Sequence, residues 1–539
     1  MTLFRALSLA LCVLLASSDG VNGQWNRYYS TRPPVTTRLV PLLGSRIVSR
    51  QNFQTDDLSQ QSIVWPSDNS FATTKRPVTT FASSWSNGGS SITSAARRPS
   101  ATPSRGNLSP TRNQAALATN AIAENTLRPE NDPKIAQAAN DFMLRVSRTL
   151  VQGPSKSELF SPLSILSVAN LLFLGSQGVT HEEFNRVLTP PGMRWQKMHQ
   201  RFGMVLKNLL SPTPIDERRD QWRRQTCPSQ DEDYDDETST GNAKSQVIRV
   251  ANGIFYQKNL PLKQQFGKLA VGLYNANLQP IDPRNTGAST AMINEWISKA
   301  TAGKIRNMLD GALSPATSVV VANALYFKAK WKTQFEPLVT RDASFFPDGY
   351  DGPSFRVKMM STSGCLPYYK APEAIIVGLP YRDDSATMYL IQPEGSSTAA
   401  IRRLQGTLTS KMLETWIGQM KLQSTSVRLP KMHLTNSIDL LQTFQKLGFN
   451  SILSPAKSNL TGMVADTAGT PKPYVNQILH KLDLTIDEEG TEGAAATSAL
   501  IDRIGSQRSF NGNAPFIIYL RHDATGLPLF YGPILDPRN

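Results

Sequence analysis

Apolar residues first recur at a regular spacing just after Asp132. Pro133 is typical of a first helical turn, and the positions that follow it at helical spacing are apolar: Ile135, Ala138, Ala139, Phe142, Val146 and Leu150. This pattern predicts an amphipathic helix that opens the folded part of the chain.

A second helix is predicted in "ELFSPLSILSVANLLFLGSQG". Ser161 has the position of an N-cap and Pro162 that of the first helical turn, and the helix should end at Gly175 or Gly178. Because its residues are apolar nearly all round, we expect this helix to be buried on every side.

Beyond residue 245, strand-like runs alternate with helical ones. The runs "VIRVANGIFY", "SVVVANALYF" and "ATMYLIQP" predict long strands, whereas "IDLLQTFQKLGF" predicts a helix. No segment with a period of about 20 to 50 residues repeats, which argues against a solenoid. The pattern predicts an α+β fold with long strands.

Two segments lack any such pattern. Residues 24–131 are rich in Ser, Thr, Pro and Arg, and we interpret them as a disordered extension. Residues 211–245 contain 5 basic and 9 acidic residues and almost no apolar ones. We interpret this second segment as a solvated insertion.

Residues 1–23 have the order of a secretory signal peptide. Arg5 precedes an apolar run from Ala6 to Ala16, and small residues follow up to Gly23, so the mature chain should start at Gln24. No later uncharged apolar stretch reaches the roughly 18 residues of a spanning helix. The sequence therefore predicts a secreted protein rather than an integral membrane protein.

A secreted chain can form disulfide bonds and carry N-linked glycans. Cys12 would leave with the signal peptide, so only Cys227 and Cys365 remain, too few for a disulfide framework. Whether these two cysteines pair is left open. Asn107 and Asn459 begin Asn-Leu-Ser and Asn-Leu-Thr and are candidate glycosylation sites.

The formal net charge of +15 bears on possible partners. Residues 24–130 hold 12 Lys or Arg against 5 Asp or Glu, so about half of the excess lies in the extension. For a secreted chain, an anionic polysaccharide, a membrane surface or an acidic protein suits this charge better than nucleic acid does. We expect no nucleic-acid partner and no membrane partner.

The sequence lacks the motifs of common enzymes. None of its 5 His residues lies at zinc-ligand spacing, no Ser lies in a G-x-S-x-G motif, and Gly303-Lys304 lacks the earlier glycine of a phosphate loop. Cys365 is interpreted as a small buried apolar residue rather than a nucleophile. We therefore assign no catalytic residue, no metal and no cofactor.

Residues 485–501, "TIDEEGTEGAAATSALI", combine a charged turn with an unusual run of small residues. A charged turn around Gly490 precedes a run of small residues, and strand alternation would place Thr491, Gly493, Ala495 and Thr497 on one face. Such a segment can enter between two existing strands, since nothing bulky or proline-like blocks the ladder. A flexible linker is the alternative, but linkers favour Gly, Ser and Pro over Ala and Thr.

This segment strongly resembles the inhibitory reactive-loop hinge of the serpin family. Further resemblances follow in family order, from "LFSPLSI" through "VANGIFYQKNLPL", "VANALYFKAKW" and "LPKMHL" to "APFIIYLRHDATGLPLFYGPILDP". Together they cover residues 132–539 apart from the insertion. The hinge residues implied by the resemblance are Glu488, Glu489, Gly490, Thr491, Glu492, Gly493, Ala494, Ala495, Ala496 and Thr497.

The resemblance implies a single α+β domain with three β-sheets, eight to nine helices and an exposed reactive loop, with hinge and loop over residues 488–512. It also implies a monomeric inhibitor of a trypsin-like serine protease. In such proteins the protease forms an acyl-enzyme, and the cut loop then inserts into the main sheet and distorts the trapped enzyme. Secreted arthropod serpins commonly control melanisation or immune cascades, an implication that rests on analogy alone.

Individual roles carry over to matching positions. The shutter, a polar cluster beneath the central strands, corresponds to Ser161, Ser164, Asn323 and His480. Trp331 corresponds to the breach, where loop insertion begins. Without the resemblance, His480 could equally be a satisfied core histidine and the serines a helix cap and its neighbour. Gly493 departs from the alanine usual at its position, which adds backbone freedom to the hinge.

The scissile bond is less closely defined by the resemblance. The usual loop length counted from Gly490 ends at Ile504, whereas extracellular cascade proteases mostly cut after Arg. We favour Arg503-Ile504, with Ile504-Gly505 as the second choice and Arg508 as the third. A non-inhibitory serpin that acts as a carrier or a chaperone-like binding protein is the alternative function, disfavoured because such members tend to have bulky, charged or proline residues in the hinge.

A basic stripe at Arg194, Lys197 and Arg201 has helical spacing. It lies in the region where several serpins bind glycosaminoglycans, so a polyanion site is possible here. A solvated helix face is the favoured interpretation, because the nearby acidic run "DEDYDDE" could neutralise the stripe.

Overall fold

The computed structural model describes residues 132–150, 158–210, 220–226, 246–282, 284–382, 384–466, 472–491 and 508–538. Several predictions fall outside these ranges: the signal peptide 1–23, the extension 24–131, Asn107, Cys227, the hinge residues Glu492, Gly493, Ala494, Ala495, Ala496 and Thr497, and the candidate scissile residues Arg503, Ile504 and Gly505.

The first helices form where the sequence predicts them. Helix α1 (Pro133–Thr149) begins at Asp132, whose side chain accepts hydrogen bonds from two backbone N–H groups of the first turn. Helix α2 (Pro162–Gly175) begins at Ser161, whose hydroxyl caps it, and all of its residues are buried. The described residues also form α3 (Gly178–Leu188), α4 (Trp195–Leu210), α5 (Gln264–Tyr274), α6 (Thr286–Ala300), α7 (Thr398–Thr407), α8 (Ser410–Gln419) and α9 (Leu441–Leu447).

Six strands form one mixed sheet. Its order is β2-β1-β3-β11-β10-β9, with β3 and β10 also paired directly in parallel. The strands are β1 (Gln246–Gln257), β2 (Ala276–Ile281), β3 (Val319–Lys330), β9 (Met432–Asp439), β10 (Val475–Ile486) and β11 (Gly490–Thr491).

Eight strands form a second sheet, in the order β12-β8-β5-β6-β7-β13-β14 with β4 on β5. They are β4 (Arg341–Phe345), β5 (Phe355–Lys370), β6 (Ile375–Pro380), β7 (Ala386–Gln392), β8 (Lys421–Pro430), β12 (Arg508–Asn511), β13 (Phe516–His522) and β14 (Leu527–Ile534).

The described residues form two hydrogen-bonded sheets, whereas three sheets were predicted. The reason is the length of β5, which pairs with β4 and β8 along most of its course and with β6 through its last residues, Tyr368 to Lys370. One strand thus joins groups of strands that would otherwise form separate sheets. The α+β class and nine helices in the described ranges agree with the prediction.

Helix α2 lies at the centre of the main core and packs against β1, β3 and β14, strands of both sheets. Apolar side chains on both faces of β3 are buried, and a smaller core lies between the six-stranded sheet and α6. In the described part of the chain, no helix combines the length and apolarity needed to cross a bilayer.

The interpretation of Cys365 as a buried apolar thiol is wrong. Cys365 is only partly buried and is disulfide-bonded. Its partner lies outside the described residues. A cysteine on a partly exposed strand position is accessible to oxidation, which a residue count cannot reveal.

The interpretation of 211–245 as a wholly solvated insertion is also wrong for Asp220–Thr226. Trp222 is 3% exposed and packs into the main core, and Asp220 is buried beside Arg521. The segment docks because it brings an indole and two opposite charges to complementary groups of the eight-stranded sheet. Residues 211–219 and 227–245 lie outside the described ranges.

Candidate functional site: the hinge and the central strand pair

The hinge begins inside the six-stranded sheet. Thr491 pairs with Ala329 of β3 and with Ile486 of β10, so the short strand β11 separates the upper ends of these two strands. Lower down, β3 and β10 pair directly from Val319 to Ala324. Between these zones, in the part of the chain that the structure describes, no ladder joins Leu325–Lys328 of β3 to β10.

Gly490 is required by the close approach of β11 to β3. A Cβ atom placed on Gly490 would lie 2.1 Å from the carbonyl oxygen of Ala329, far inside van der Waals contact. Only glycine fits here without displacing backbone. The charged turn that the sequence places around Gly490 therefore ends in a tightly fitted strand.

Thr491 points into the protein, as strand alternation predicted. Its side chain is fully buried, and its hydroxyl oxygen lies 2.8 Å from the Tyr381 hydroxyl oxygen. Burial raises the pKa of Tyr381, so this phenol stays protonated. The remaining small hinge residues lie outside the described residues.

Trp331 anchors the turn that leads into the hinge. Its indole N–H donates to the Asp487 carbonyl at 2.9 Å, and its backbone N–H donates to the Glu489 carbonyl at 2.8 Å. The indole stacks on Tyr381 with ring centroids 4.5 Å apart. The structure thus places the predicted breach residue directly against the start of the hinge.

Two hinge carboxylates are held by cations. Glu488 accepts hydrogen bonds from Lys431 at 2.6 Å and Thr340 at 2.9 Å, and Glu489 lies 3.7 Å from Lys330. Although burial opposes ionisation, the hydrogen bonds from Lys431 and Thr340 lower the pKa of Glu488. The charged turn is therefore fixed by ion pairs on its outer side.

The shutter cluster, Ser161, Ser164, Asn323 and His480, comes together beneath the directly paired part of β3 and β10. His480 lies opposite Asn323 in the parallel ladder, and its Nε2 accepts the backbone N–H of Ser161 at 3.1 Å. Burial lowers the pKa of His480 to about 4, so the imidazole is neutral at pH 7. All four residues are at most 1% exposed.

Several polar atoms of the shutter cluster have no hydrogen-bond partner among the described residues: Ser164 Oγ, Asn323 Oδ1 and His480 Nδ1. Each unpartnered buried polar atom costs about 1 to 3 kcal/mol. These three atoms lie in the part of the sheet where β3 and β10 pair directly.

Sequence reasoning missed two members of this region. Asn252 accepts a hydrogen bond from Asn323 at 2.5 Å, and the shared run Val-Ala-Asn in β1 and β3 was an available signal, since it aligns the two residues in register. Tyr381 had no such signal, because only the tertiary fold brings the end of β6 to Thr491.

The remaining predicted residues lie elsewhere. Arg194 and Lys197 are exposed at α4, whereas Arg201 pairs with Asp132 at 2.8 Å. Asn459 is half-buried, and its side-chain oxygen accepts hydrogen bonds from Thr461. The described residues hold no cluster of His, Cys, Asp or Glu able to bind a metal ion.

Comparison with known proteins places this geometry in a family. Residues 137–537 match the family described as "Serpin (serine protease inhibitor)". The chain belongs to the serpin family. Members of this family are in general protease inhibitors that target serine proteases, and not enzymes.

Two serpin relatives illustrate the range of similarity. Serine protease inhibitor 28Dc of Drosophila melanogaster is 32% identical over 480 residues, which cover 79% of this chain and 86% of that protein. Antithrombin-III of Mus musculus is 32% identical over 300 residues, which cover 54% of this chain and 63% of that protein.

Solved serpin structures share the fold. Human thyroxine-binding globulin matches with a TM-score of 0.62 at 21% identity, covering 75% of this chain and 99% of that chain. Serpin48 of the insect Tenebrio molitor matches with a TM-score of 0.60 at 24% identity, covering 75% and 98%. At these identities the likeness concerns the fold alone.

Proposed function

We propose that this serpin is an extracellular inhibitor that traps a trypsin-like serine protease in a covalent complex. The protease attacks the loop between Thr491 and Arg508, and the cut loop then enters the six-stranded sheet between β3 and β10. The trapped enzyme is distorted before it can complete hydrolysis.

The observation that carries this proposal is the opening between β3 and β10. Its upper end already holds Gly490 and Thr491 as a strand between β3 and β10, and β3 pairs directly with β10 only from Ala324 downward. Residues 493–497 of the hinge are small, and strand alternation places Gly493, Ala495 and Thr497 on the same face as Thr491. A cut loop that continues β11 would therefore follow β3 downward between the two strands.

Further insertion requires the lower ladder to open. The pairing between Val475–Lys481 and Val319–Ala324 would be exchanged for two new ladders, one on each side of the inserted strand. The unpartnered atoms of the shutter cluster reduce the cost of this exchange, since the closed arrangement leaves them unsatisfied.

Arg503-Ile504 is the proposed scissile bond, and Ile504-Gly505 the second choice. A guanidinium at Arg503 would pair with the buried carboxylate at the base of a trypsin-like pocket. Arg508, the third choice, lies in β12, where its backbone pairs with Thr425 of β8 and its side chain donates to Gln423. A bond fixed in this ladder is poorly suited to entering a protease cleft.

The experiment mixes the protein separately with trypsin and with an elastase-like protease, detects covalent complex on a denaturing gel and sequences the released C-terminal peptide. Arg503→Ala should lower the rate of complex formation by about a hundredfold or more, because a charged partner is lost in a buried pocket. Ile504→Ala is the matched control and should change the rate little. A released peptide that begins at Gly505, with Arg503→Ala tolerated, would place the cut after Ile504 and exclude a trypsin-like target.

A carrier or chaperone-like serpin is the alternative that the same protein can test. Such a protein would be cut in the loop and form no covalent complex with trypsin. Its melting temperature would also be the same before and after the cut.

The proposal includes secretion, as the first 23 residues suggest, and a place in a protease cascade such as arthropod melanisation or immune signalling. The similarity to a Drosophila serpin supports that setting. A polyanion such as a glycosaminoglycan would bind at Arg194 and Lys197, which are exposed, with Arg201 already engaged by Asp132. Elution of an Arg194→Gln/Lys197→Gln variant from a heparin column at clearly lower salt would support this site, and unchanged elution would contradict it.

A further inference from the structure

The segment Asp220–Gln225, here called the insertion turn, docks on the eight-stranded sheet. Residues Gln221–Arg224 form a short 3-10 helix that contacts α8 and β8. The side-chain oxygen of Gln225 accepts the backbone N–H of Leu422 at 3.0 Å. Neither the family resemblance nor the hinge accounts for this contact.

Four charged side chains form the centre of the docking site. The insertion turn supplies Asp220 and Arg223, and the sheet supplies Arg521 and Asp523; the four side chains are 6%, 6%, 1% and 3% exposed. The pairs cross the interface: Asp220 lies 3.3 Å from Arg521, and Arg223 lies 2.5 Å from Asp523. The interface therefore joins one charge of each sign from each side.

Each half of this quartet also has an ion pair of its own. Asp220 and Arg223 lie 3.9 Å apart on the turn, and Arg521 lies 3.2 Å from Asp523 on the sheet. Glu414 of α8 gives Arg521 a further partner at 3.2 Å. If the turn leaves, no charge is left buried without a counter-charge, so the usual large penalty for breaking a buried ion pair is avoided.

Docking also has costs that limit its strength. The indole N–H of Trp222 and the Nε–H groups of Arg223 and Arg521 have no hydrogen-bond partner among the described residues. These costs offset much of the gain from burying the Trp222 ring. Docking therefore combines a favourable apolar contact with unfavourable burial of polar groups.

The insertion turn shares a neighbour with the hinge. Asp384, in the turn between β6 and β7, pairs with Arg223 at 3.0 Å and with Lys332 at 2.8 Å. Lys332 directly follows Trp331, whose two N–H groups hold the hinge carbonyls of Asp487 and Glu489. Asp384 adopts a φ of 52°, in the left-handed region that aspartate tolerates better than most residues.

We propose that the insertion turn is a detachable latch for the hinge. Docked, it holds Asp384 and thereby steadies Lys332 and Trp331 beside Glu489. When the insertion turn is detached, the sheet stays folded, but the contacts of Trp331 with the hinge open more often. The consequence for protease trapping rests on the proposed function, whereas docking and hinge mobility are measured without any protease.

The test is hydrogen–deuterium exchange of the full oxidised chain, comparing the wild type with Arg223→Gln and with the control Gln221→Ala, at an exposed position of the same turn. In the wild type, the peptide over Asp220–Gln225 should exchange much faster than β13, through local opening. Arg223→Gln should raise that exchange about tenfold or more and raise exchange at Trp331–Phe335 several-fold. The melting temperature should stay within about 2 °C of the wild type.

A double variant, Asp220→Asn/Arg223→Gln, removes both charges of the turn and should also melt like the wild type, because Arg521 keeps Asp523. Three results would overturn the latch. The first is exchange of Asp220–Gln225 only through global unfolding. The second is a melting temperature of the double variant far below that of the wild type. The third is faster exchange of Asp220–Gln225 in Arg223→Gln with unchanged exchange at Trp331–Phe335.

Discussion

The strand pair β3 and β10 is built differently at its two ends. At the upper end, Thr491 of β11 lies between the strands, and its hydroxyl and backbone have partners on both sides. At the lower end the strands pair directly over the shutter cluster, where buried polar atoms have no partner in the described residues. The two ends thus differ in how the strands are held, since a third strand separates them at the top and direct pairing joins them at the bottom.

This difference indicates a direction for loop insertion. Under the proposed function, a strand that enters from the top would extend the arrangement already formed by Gly490 and Thr491. It would exchange the direct ladder of β3 and β10 for two new ladders. Four predictions test the comparison, from the largest expected effect to the smallest.

Thr491→Arg should convert the inhibitor into a substrate. A long cation would be forced into the site beside Tyr381, and burying an unpaired charge costs roughly 3 to 5 kcal/mol, enough to stall insertion. The measurement is the ratio of covalent complex to cleaved protein after mixing with trypsin. Thr491→Ser, which keeps the hydroxyl, is the control and should still trap; complex formed equally well by the arginine variant would contradict an inserted hinge.

Cleavage of the loop should raise the melting temperature by about 10 °C or more, since a new central strand adds several kcal/mol to a large domain. Calorimetry before and after limited proteolysis measures the change. The cut Thr491→Arg protein is the control and should gain little. If the wild type and this variant gain equally, the stabilisation does not come from the upper opening.

His480 should make stability fall in acid. Its folded pKa of about 4 lies below the ordinary value near 6.5, so between these pH values the unfolded chain binds a proton that the folded chain does not. Stability should drop by up to about 3 kcal/mol as the pH falls through this window. Urea unfolding at several pH values measures it, and His480→Gln should reduce the slope, leaving the part due to His199, whose pKa burial lowers to about 3. An unchanged slope would mean that His480 does not contribute to the loss of stability in acid.

Gly490→Ala should destabilise the uncut protein by about 1 to 3 kcal/mol, because the added methyl group collides with the Ala329 carbonyl. We expect β11 to leave the sheet and exchange at Trp331–Phe335 to rise. Gly311→Ala, at a position with open space around it, is the control. An alanine variant that melts and exchanges like the wild type would show that β11 is not closely packed against β3.

The sequence was sufficient where the signal was local. Asp132 and Ser161 accept hydrogen bonds from backbone N–H groups in the first turns of α1 and α2. A short polar side chain directly before a proline and an apolar helical run is a strong N-cap signal, so the sequence alone predicts both caps. The inward direction of Thr491 followed from the two-residue period of a strand. These predictions needed only neighbours a few residues apart.

Prediction failed where a segment depended on distant partners. From its local composition, the insertion was predicted to be solvated, because it is highly charged and contains a single tryptophan. Its ion-pair partners, Arg521 and Asp523, lie about 300 residues later in the chain, and local composition does not identify them. The joining of two groups of strands through β5 has a similar reason, since the sequence of β5 does not say which strands it pairs with.

The sequence by itself determined the family and the α+β class, and it predicted the small-residue hinge and the members of the shutter cluster. Only the tertiary structure decided that Gly490 and Thr491 already lie between β3 and β10, that Tyr381 receives Thr491, and that Arg223 and Lys332 share Asp384. The physical reason is that local pattern fixes the direction and polarity of a side chain, whereas its partner is fixed by which distant strands the whole core brings together.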